Sequence, residues 1–120
     1  MSGPQTINVA DARKPFFLGV DVGGTNIKIG IVDDNGDTLA YESIPTQAAD
    51  GPDLAAQRVG AASRQMAAAV GIGRGEIVRG GLATPGPMDI PAGMLLEPGN
   101  LPEWHNSPIR GLMSDSCDVP

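Results

Sequence analysis

Phe17-Leu18-Gly19-Val20-Asp21-Val22-Gly23-Gly24-Thr25-Asn26-Ile27-Lys28-Ile29-Gly30-Ile31-Val32 reads as two strands folded back on a glycine turn. Phe17 to Val22 is a short apolar run that stops at Gly23-Gly24, the mark of a buried strand. From Ile27 to Val32 the chain alternates, with Ile27, Ile29 and Ile31 on one face and Lys28 on the other. Asp33-Asp34-Asn35-Gly36 then predicts a hairpin with a primed turn, for which Asn-Gly supplies positive φ angles. Thr38 to Ile44 returns as a third strand, closed by Pro45, so the sheet begins as a three-stranded antiparallel meander.

A helix follows. Asp50 or Gly51 caps it, Pro52 suits its first turn, Asp53 favours the positive end of its dipole, and Gly71 stops it. Leu54, Val59, Ala62, Met66, Ala69 and Val70 recur at helical spacing and are expected to face the sheet. Glu76 to Ala83 reads as a fourth strand, and the intervening helix predicts that it lies parallel to the first. Met88-Asp89-Ile90 and Met94-Leu95-Leu96 suggest a small hairpin around Pro91-Ala92-Gly93. Glu97 to Pro108 is a polar loop, and Ile109 to Ser116 a short helix with Ile109, Leu112 and Met113 inward. A further strand is expected to begin at the Cys117-Asp118-Val119-Pro120 end. The class is α/β with a mixed sheet, incomplete at the C-terminus. Residues 1–16 are expected to form a flexible tail and 17–120 a partial lobe.

At 120 residues the chain fits one domain. Hydrophobic residues make up 41%, enough for a core, although Phe16, Phe17, Tyr41 and Trp104 are the only aromatics. The 17 glycines and 11 prolines cluster between apolar runs, as turn and ligand-loop residues do. A net charge of −6 and scattered basic residues argue against nucleic-acid or membrane-surface partners. The single cysteine, Cys117, excludes an internal disulfide and fits a reducing cytoplasm; with His105 alone beside it, a self-contained zinc site is also excluded. No secretory leader or membrane-spanning run is legible.

The residues with the clearest chemistry lie at the first turn. An acid near the strand end, two glycines and a hydroxyl residue expose backbone N–H groups that attract phosphate oxygens. Asp21, Gly23, Gly24 and Thr25 are therefore candidate phosphate and Mg²⁺ contacts, Asp21 acting on the metal through water. Lys28 is either a further phosphate contact or a solvated strand lysine. An ordinary Gly-Gly hairpin is the competing account of the turn. The pattern is neither a Walker A loop nor a Rossmann fingerprint, since no Gly-Lys-Ser/Thr and no helix follow the glycines.

Asp21 to Lys28 resembles the first phosphate motif of the ROK sugar kinases (repressors, open reading frames and kinases), which include many bacterial glucokinases. The resemblance continues through Gly80-Gly81-Leu82-Ala83-Thr84-Pro85-Gly86-Pro87-Met88-Asp89 and Glu97-Pro98-Gly99-Asn100-Leu101-Pro102-Glu103-Trp104. It implies an actin-like, hexokinase-like (ribonuclease H-like) N-terminal lobe and ATP-dependent phosphorylation of a hexose, with glucose the default. It also implies sugar contacts from Gly81, Thr84, Pro85, Gly86 and Asn100, the last an amide that serves a diol as both donor and acceptor. Asn100 as a plain turn residue is the alternative. Ala83 stands where many relatives carry glycine. Trp104 reads as a packing anchor, His105 as a loop residue and Cys117 as a small buried residue.

Relatives are much longer. Beyond the position of Pro120 they carry an Asn-Asp-Ala-Asn-type motif with the general base, a zinc segment, further sugar ligands and a second lobe for adenine. The resemblance thus implies ATP and Mg²⁺ as cofactors, no catalytic residue within this sequence, and a chain inactive alone. A non-catalytic fragment with phosphate- and sugar-contacting loops is the second reading. A sugar-responsive repressor is not expected, because about sixteen residues, too few for a helix-turn-helix domain, precede Phe17. A fourth strand without a neighbour would leave an open edge, from which marginal stability or self-association is expected.

Overall fold

A computed structural model describes residues 5–73, 75–84, 88–89, 94–95 and 108–120. Four strands form one mixed sheet: β1 (Phe16–Val22), β2 (Asn26–Val32), β3 (Thr38–Pro45) and β4 (Ile77–Ala83), in the order β3-β2-β1-β4. β1–β2 and β2–β3 are antiparallel, which is the predicted meander, and β4 runs parallel to β1. A two-stranded pair, β5 (Met88–Asp89) and β6 (Met94–Leu95), is also antiparallel; Ile90, Pro91, Ala92, Gly93 and Leu96 lie outside the described residues.

Alternation builds the core. Phe16, Leu18, Val20 and Val22 of β1 and Ile27, Ile29 and Ile31 of β2 are all buried on one face, against helices α1 (Pro52–Ala69) and α2 (Ile109–Cys117). The opposite face carries Gly19, Asp21, Lys28, Arg79, Gly81 and Ala83, all exposed. Helix α1 starts after Gly51 (φ +87°) with Pro52 in its first turn. It stops at Gly71 (φ +79°), where the Gly71 N–H donates to Ala68 O at 3.2 Å and the Ile72 N–H to Ala67 O at 2.9 Å. That is a Schellman stop, with Ile72 buried beneath it.

Three expectations need correction. Leu54 is 47% exposed, because the buried stripe is Ala55/Ala56, Val59, Ala62/Ser63 and Met66, and Leu54 sits one residue, about 100°, away from it. Ala69 is exposed too, because the end of α1 meets the core through Ala67 and Val70 instead. The β2–β3 connection is not a primed turn, since Gly36 alone has positive φ (+85°) there. The Asp33 carboxylate accepts the N–H groups of Asn35 (3.0 Å) and Asp37 (2.9 Å), holding Asp34 and Asn35 out of the left-handed region, and the register shifts between Ile31 and Val32.

Asp33 also accepts the Arg13 N–H at 2.8 Å, so it joins the hairpin to the segment before β1. That segment lies on the sheet: Thr6 bridges to Thr38, the Ile7 N–H donates to Thr38 O at 2.9 Å, and Lys14 pairs with Glu76 at 2.7 Å. Helices α1 and α2 meet at Gly60, where a Cβ would stand 2.2 Å from Ser116 O. Arg64 Nη1 donates to the same Ser116 carbonyl at 2.7 Å, completing the end of α2.

Three substitutions should change stability. Gly60→Ala should lower stability by about 1–3 kcal/mol, the usual cost of overpacking, despite the better helix propensity of alanine. Gly111→Ala, whose Cβ meets nothing within 4 Å, should instead raise it by up to about 1 kcal/mol, both read as urea midpoints. The Arg13 amide, then those of Asp37 and Asn35, hold the Asp33 carboxyl below its ordinary value against the opposing effect of burial. Its stabilisation is therefore present above the unfolded carboxylate pKa of about 4 and is lost as pH falls through the lower folded value. Asp33→Asn should be less stable at neutral pH and lose less on acidification, as urea midpoints measured down to low pH would show.

Candidate functional site

Because β1 and β4 are parallel, their C-terminal ends share one edge of the sheet, where open α/β sheets bind ligands. β1 leads into Gly23-Gly24-Thr25 and β4 into Thr84. Asp21 stands between Lys28 on β2 and Ala83 on β4 in register. Burial of Val20 and Val22 turns Asp21 onto the open face, and burial of Ile27 and Ile29 does the same for Lys28. Although they are cross-strand neighbours, neither makes an ion pair or hydrogen bond among the described residues, so both charges face solvent.

The turn is built in two layers. The Gly23 N–H donates to Asn26 O at 2.9 Å, and a Cβ on Gly23 would stand 2.8 Å from that oxygen, so glycine is required. Beneath it lies Thr46, fully buried: its Oγ1 donates to Gly23 O at 2.8 Å and its N–H to Thr25 O at 2.8 Å. The Gly23 and Thr25 carbonyls are thus tied to the protein, while the N–H groups of Gly24 and Thr25 have no acceptor among the described residues. Backbone donors left free beside a lysine and an aspartate form a surface suited to phosphate oxygens and a hydrated cation. Sequence reading missed Thr46; one hydroxyl residue after Pro45 carries no periodic signal.

Gly81 pairs with Gly19, and Gly19 with Gly30, so three glycines cross the open face in a row beside Asp21. Thr84 is half-buried just beyond β4. Both Gly81 and Thr84 border a cleft of about 410 Å³ between β4 and α2, which is lined chiefly by Leu18, Val20, Leu82, Met113 and Val119. That cleft lies on the helix-covered side, away from Asp21, and its apolar lining suits packing better than a polyhydroxyl ligand. Cys117 also lines it; burial pushes its thiol up, against a Ser63 hydrogen bond, which disfavours the thiolate a nucleophile needs. Pro85, Gly86, Asn100, Trp104 and His105 lie outside the described residues. No group of three or more His, Cys, Asp or Glu side chains could hold a metal among the described residues, so a cation here would rely on Asp21, water and its ligand's oxygens.

Gly23→Ala should displace the turn and cost about 1–3 kcal/mol, whereas Gly81→Ala, with nothing within 4 Å of its Cβ, should leave the thermal midpoint nearly unchanged.

Known proteins are similar to this chain in sequence and in fold. A glucokinase from Halalkalibacterium halodurans is 25% identical over 105 residues, covering 88% of this chain and 32% of its own length. The ROK hexokinase of Thermus thermophilus superposes with a TM-score of 0.73 at 28% identity, over 88% of this chain and 33% of its own. The inorganic polyphosphate/ATP-glucomannokinase of Arthrobacter sp. strain KM gives 0.70 at 27% identity, over 89% of this chain and 42% of its own. The chain thus spans about a third of the length of the curated relative it matches. The family model named ROK family matches residues 17–120. With that match running from β1 through α2, and with the mixed sheet of the actin-like, hexokinase-like kinases beneath it, the chain belongs to the ROK family.

Proposed function

We propose that this chain carries the phosphate-contacting turn and part of the sugar side of an ATP-dependent hexose kinase, with glucose the default substrate. The observation that supports it most is the Gly23–Thr25 turn: the Gly23 and Thr25 carbonyls are bound by Thr46, the Gly24 and Thr25 amides have no acceptor among the described residues, and Asp21 and Lys28 flank it. Thr25 adds a hydroxyl donor on the exposed side. In this reading Asp21 orients a hydrated Mg²⁺, while the free amides and Lys28 hold phosphate oxygens. The cation, when bound, neutralises charge on the transferring phosphoryl group. Gly81, Thr84, Pro85, Gly86 and Asn100 belong to the sugar side.

None of the acids in the chain is assigned as general base. Asp21 is committed to the metal, and Asp115 and Asp118 belong to α2 and its end. The 120-residue chain alone is therefore expected to bind nucleotide without turning over. No described helix is long and apolar enough to cross a membrane, and the lone buried Cys117 fits a cytoplasmic protein. Val78 on β4 is 41% exposed, and self-association along that strand belongs to the same reading.

The test is glucose phosphorylation from ATP by the purified chain, run beside calorimetric titration with ATP and Mg²⁺, with Asp21→Ala as control. The expected result is no turnover, together with Mg²⁺-dependent ATP binding that Asp21→Ala weakens roughly tenfold or more, as loss of a group holding a cation through water does. Turnover abolished by Asp21→Ala would show that a base does reside in this chain. ATP binding indifferent to both Mg²⁺ and Asp21 would remove the phosphate reading.

A further inference from the structure

The connection from β3 to α1 is short and held under strain. Gln47 adopts a left-handed conformation (φ +48°), unfavourable for a residue with a Cβ. Residues 48–50 make a single 3₁₀ turn before Gly51. Arg58, two turns into α1, reaches back over this connection: Nη2 donates to Thr46 O at 2.5 Å and Nη1 to Asp50 Oδ2 at 3.3 Å. Its Nε is buried without a partner among the described residues. An unsatisfied buried donor is a cost to folding, and an ion pair as exposed as the one with Asp50 returns little of it. Stability alone thus gives a weak account of this arginine.

What Arg58 does hold is Thr46, and Thr46 holds the turn. A continuous chain runs from the α1 guanidinium to the Thr46 carbonyl, and from the Thr46 hydroxyl and amide to the carbonyls of Gly23 and Thr25. Each link removes an acceptor that could otherwise point at the ligand. A carbonyl turned outward would repel phosphate, so the anion-attracting face of the turn depends on both being kept below.

We infer that Thr46 and Arg58 are positioning residues for the phosphate-receiving turn, coupling its shape to the seating of α1 on the sheet. This rests on the proposed phosphate role of Gly23–Thr25, although neither residue touches the ligand. Binding of phosphate at the turn and docking of the first two turns of α1 should then be linked events.

The test compares Thr46→Val, which keeps the shape and removes the hydroxyl, with Thr46→Ser, which restores it, and with Arg58→Met. ¹⁵N-labelled chains are followed by amide exchange at Gly23, Gly24 and Thr25, with Val20 and Ile29 as core references. The same samples are titrated with ATP and Mg²⁺. Thr46→Val should speed exchange at Gly23 and weaken ATP about fivefold, the effect of one neutral hydrogen bond, and Arg58→Met should do so at least as much, with the core references unchanged in both. Thr46→Ser should match the wild type in both. Equal turn exchange and equal affinity in Thr46→Val and wild type would overturn the inference, as would loss in Thr46→Ser as large as in Thr46→Val. If the wild-type turn amides fail to shift with ATP and Mg²⁺, the phosphate reading fails. The exchange comparison still decides separately whether Thr46 and Arg58 hold the turn.

Discussion

The parallel pairing of β1 with β4 is the constraint on which the rest of the molecule depends. A parallel neighbour cannot be reached by a tight turn, so the chain must leave the sheet, cross one face and return. The meander β1–β3 carries it outward, and α1 brings it back over the isoleucine face of β2 to the far side of β1. That path gives the sheet one covered face and leaves the other open. It also places the exits of β1 and β4 at one edge, so the glycine turn and Thr84 lie beside each other although they are distant in sequence.

The covered face works by close approach. Alanines and Gly60 let α1 lie low, and α2 crosses it so closely that the Ser116 carbonyl occupies the space a Cβ on Gly60 would take. Packing of this kind tolerates little volume change, because interiors have almost no free space to absorb it. Gly80 shows the same economy on β4: its Cβ would stand 3.2 Å from Val119, and its N–H donates to Pro120 O at 3.0 Å. The end of the chain is thereby drawn to the free side of β4.

The open face is where charge and backbone are offered to solvent. Alternation places Asp21 and Lys28 there, and the glycine row keeps side chains low beside them. Two buried polar residues sit at the joints: Asp33 fixes the β2–β3 hairpin and the segment before β1, and Thr46 fixes the first turn to the start of α1. Buried polar groups that are fully hydrogen-bonded define one geometry sharply, which suits residues that position a loop.

Much of this was legible in the sequence where the signal is local. The period-two pattern of Ile27, Ile29 and Ile31 gave the core face of β2, and Gly51, Pro52 and Gly71 marked the bounds of α1. The acid, glycines and hydroxyl of Asp21-Val22-Gly23-Gly24-Thr25 are readable from residue types, and the family from the resemblance of that motif and those at 80–89 and 97–104 to the ROK kinases. Leu54 misled because one leucine at a helix start says nothing about which stripe the sheet selects. Asn35-Gly36 misled because Asp33 imposed a different turn. Only the tertiary structure revealed Thr46 beneath Gly23, 23 residues away, and Arg58 behind Thr46, 12 residues further on. The sequence by itself determined the elements and the chemical character of the first turn, since these depend on neighbours along the chain. The tertiary structure decided which polar residues support that turn, because a hydrogen bond across the fold leaves no periodic trace.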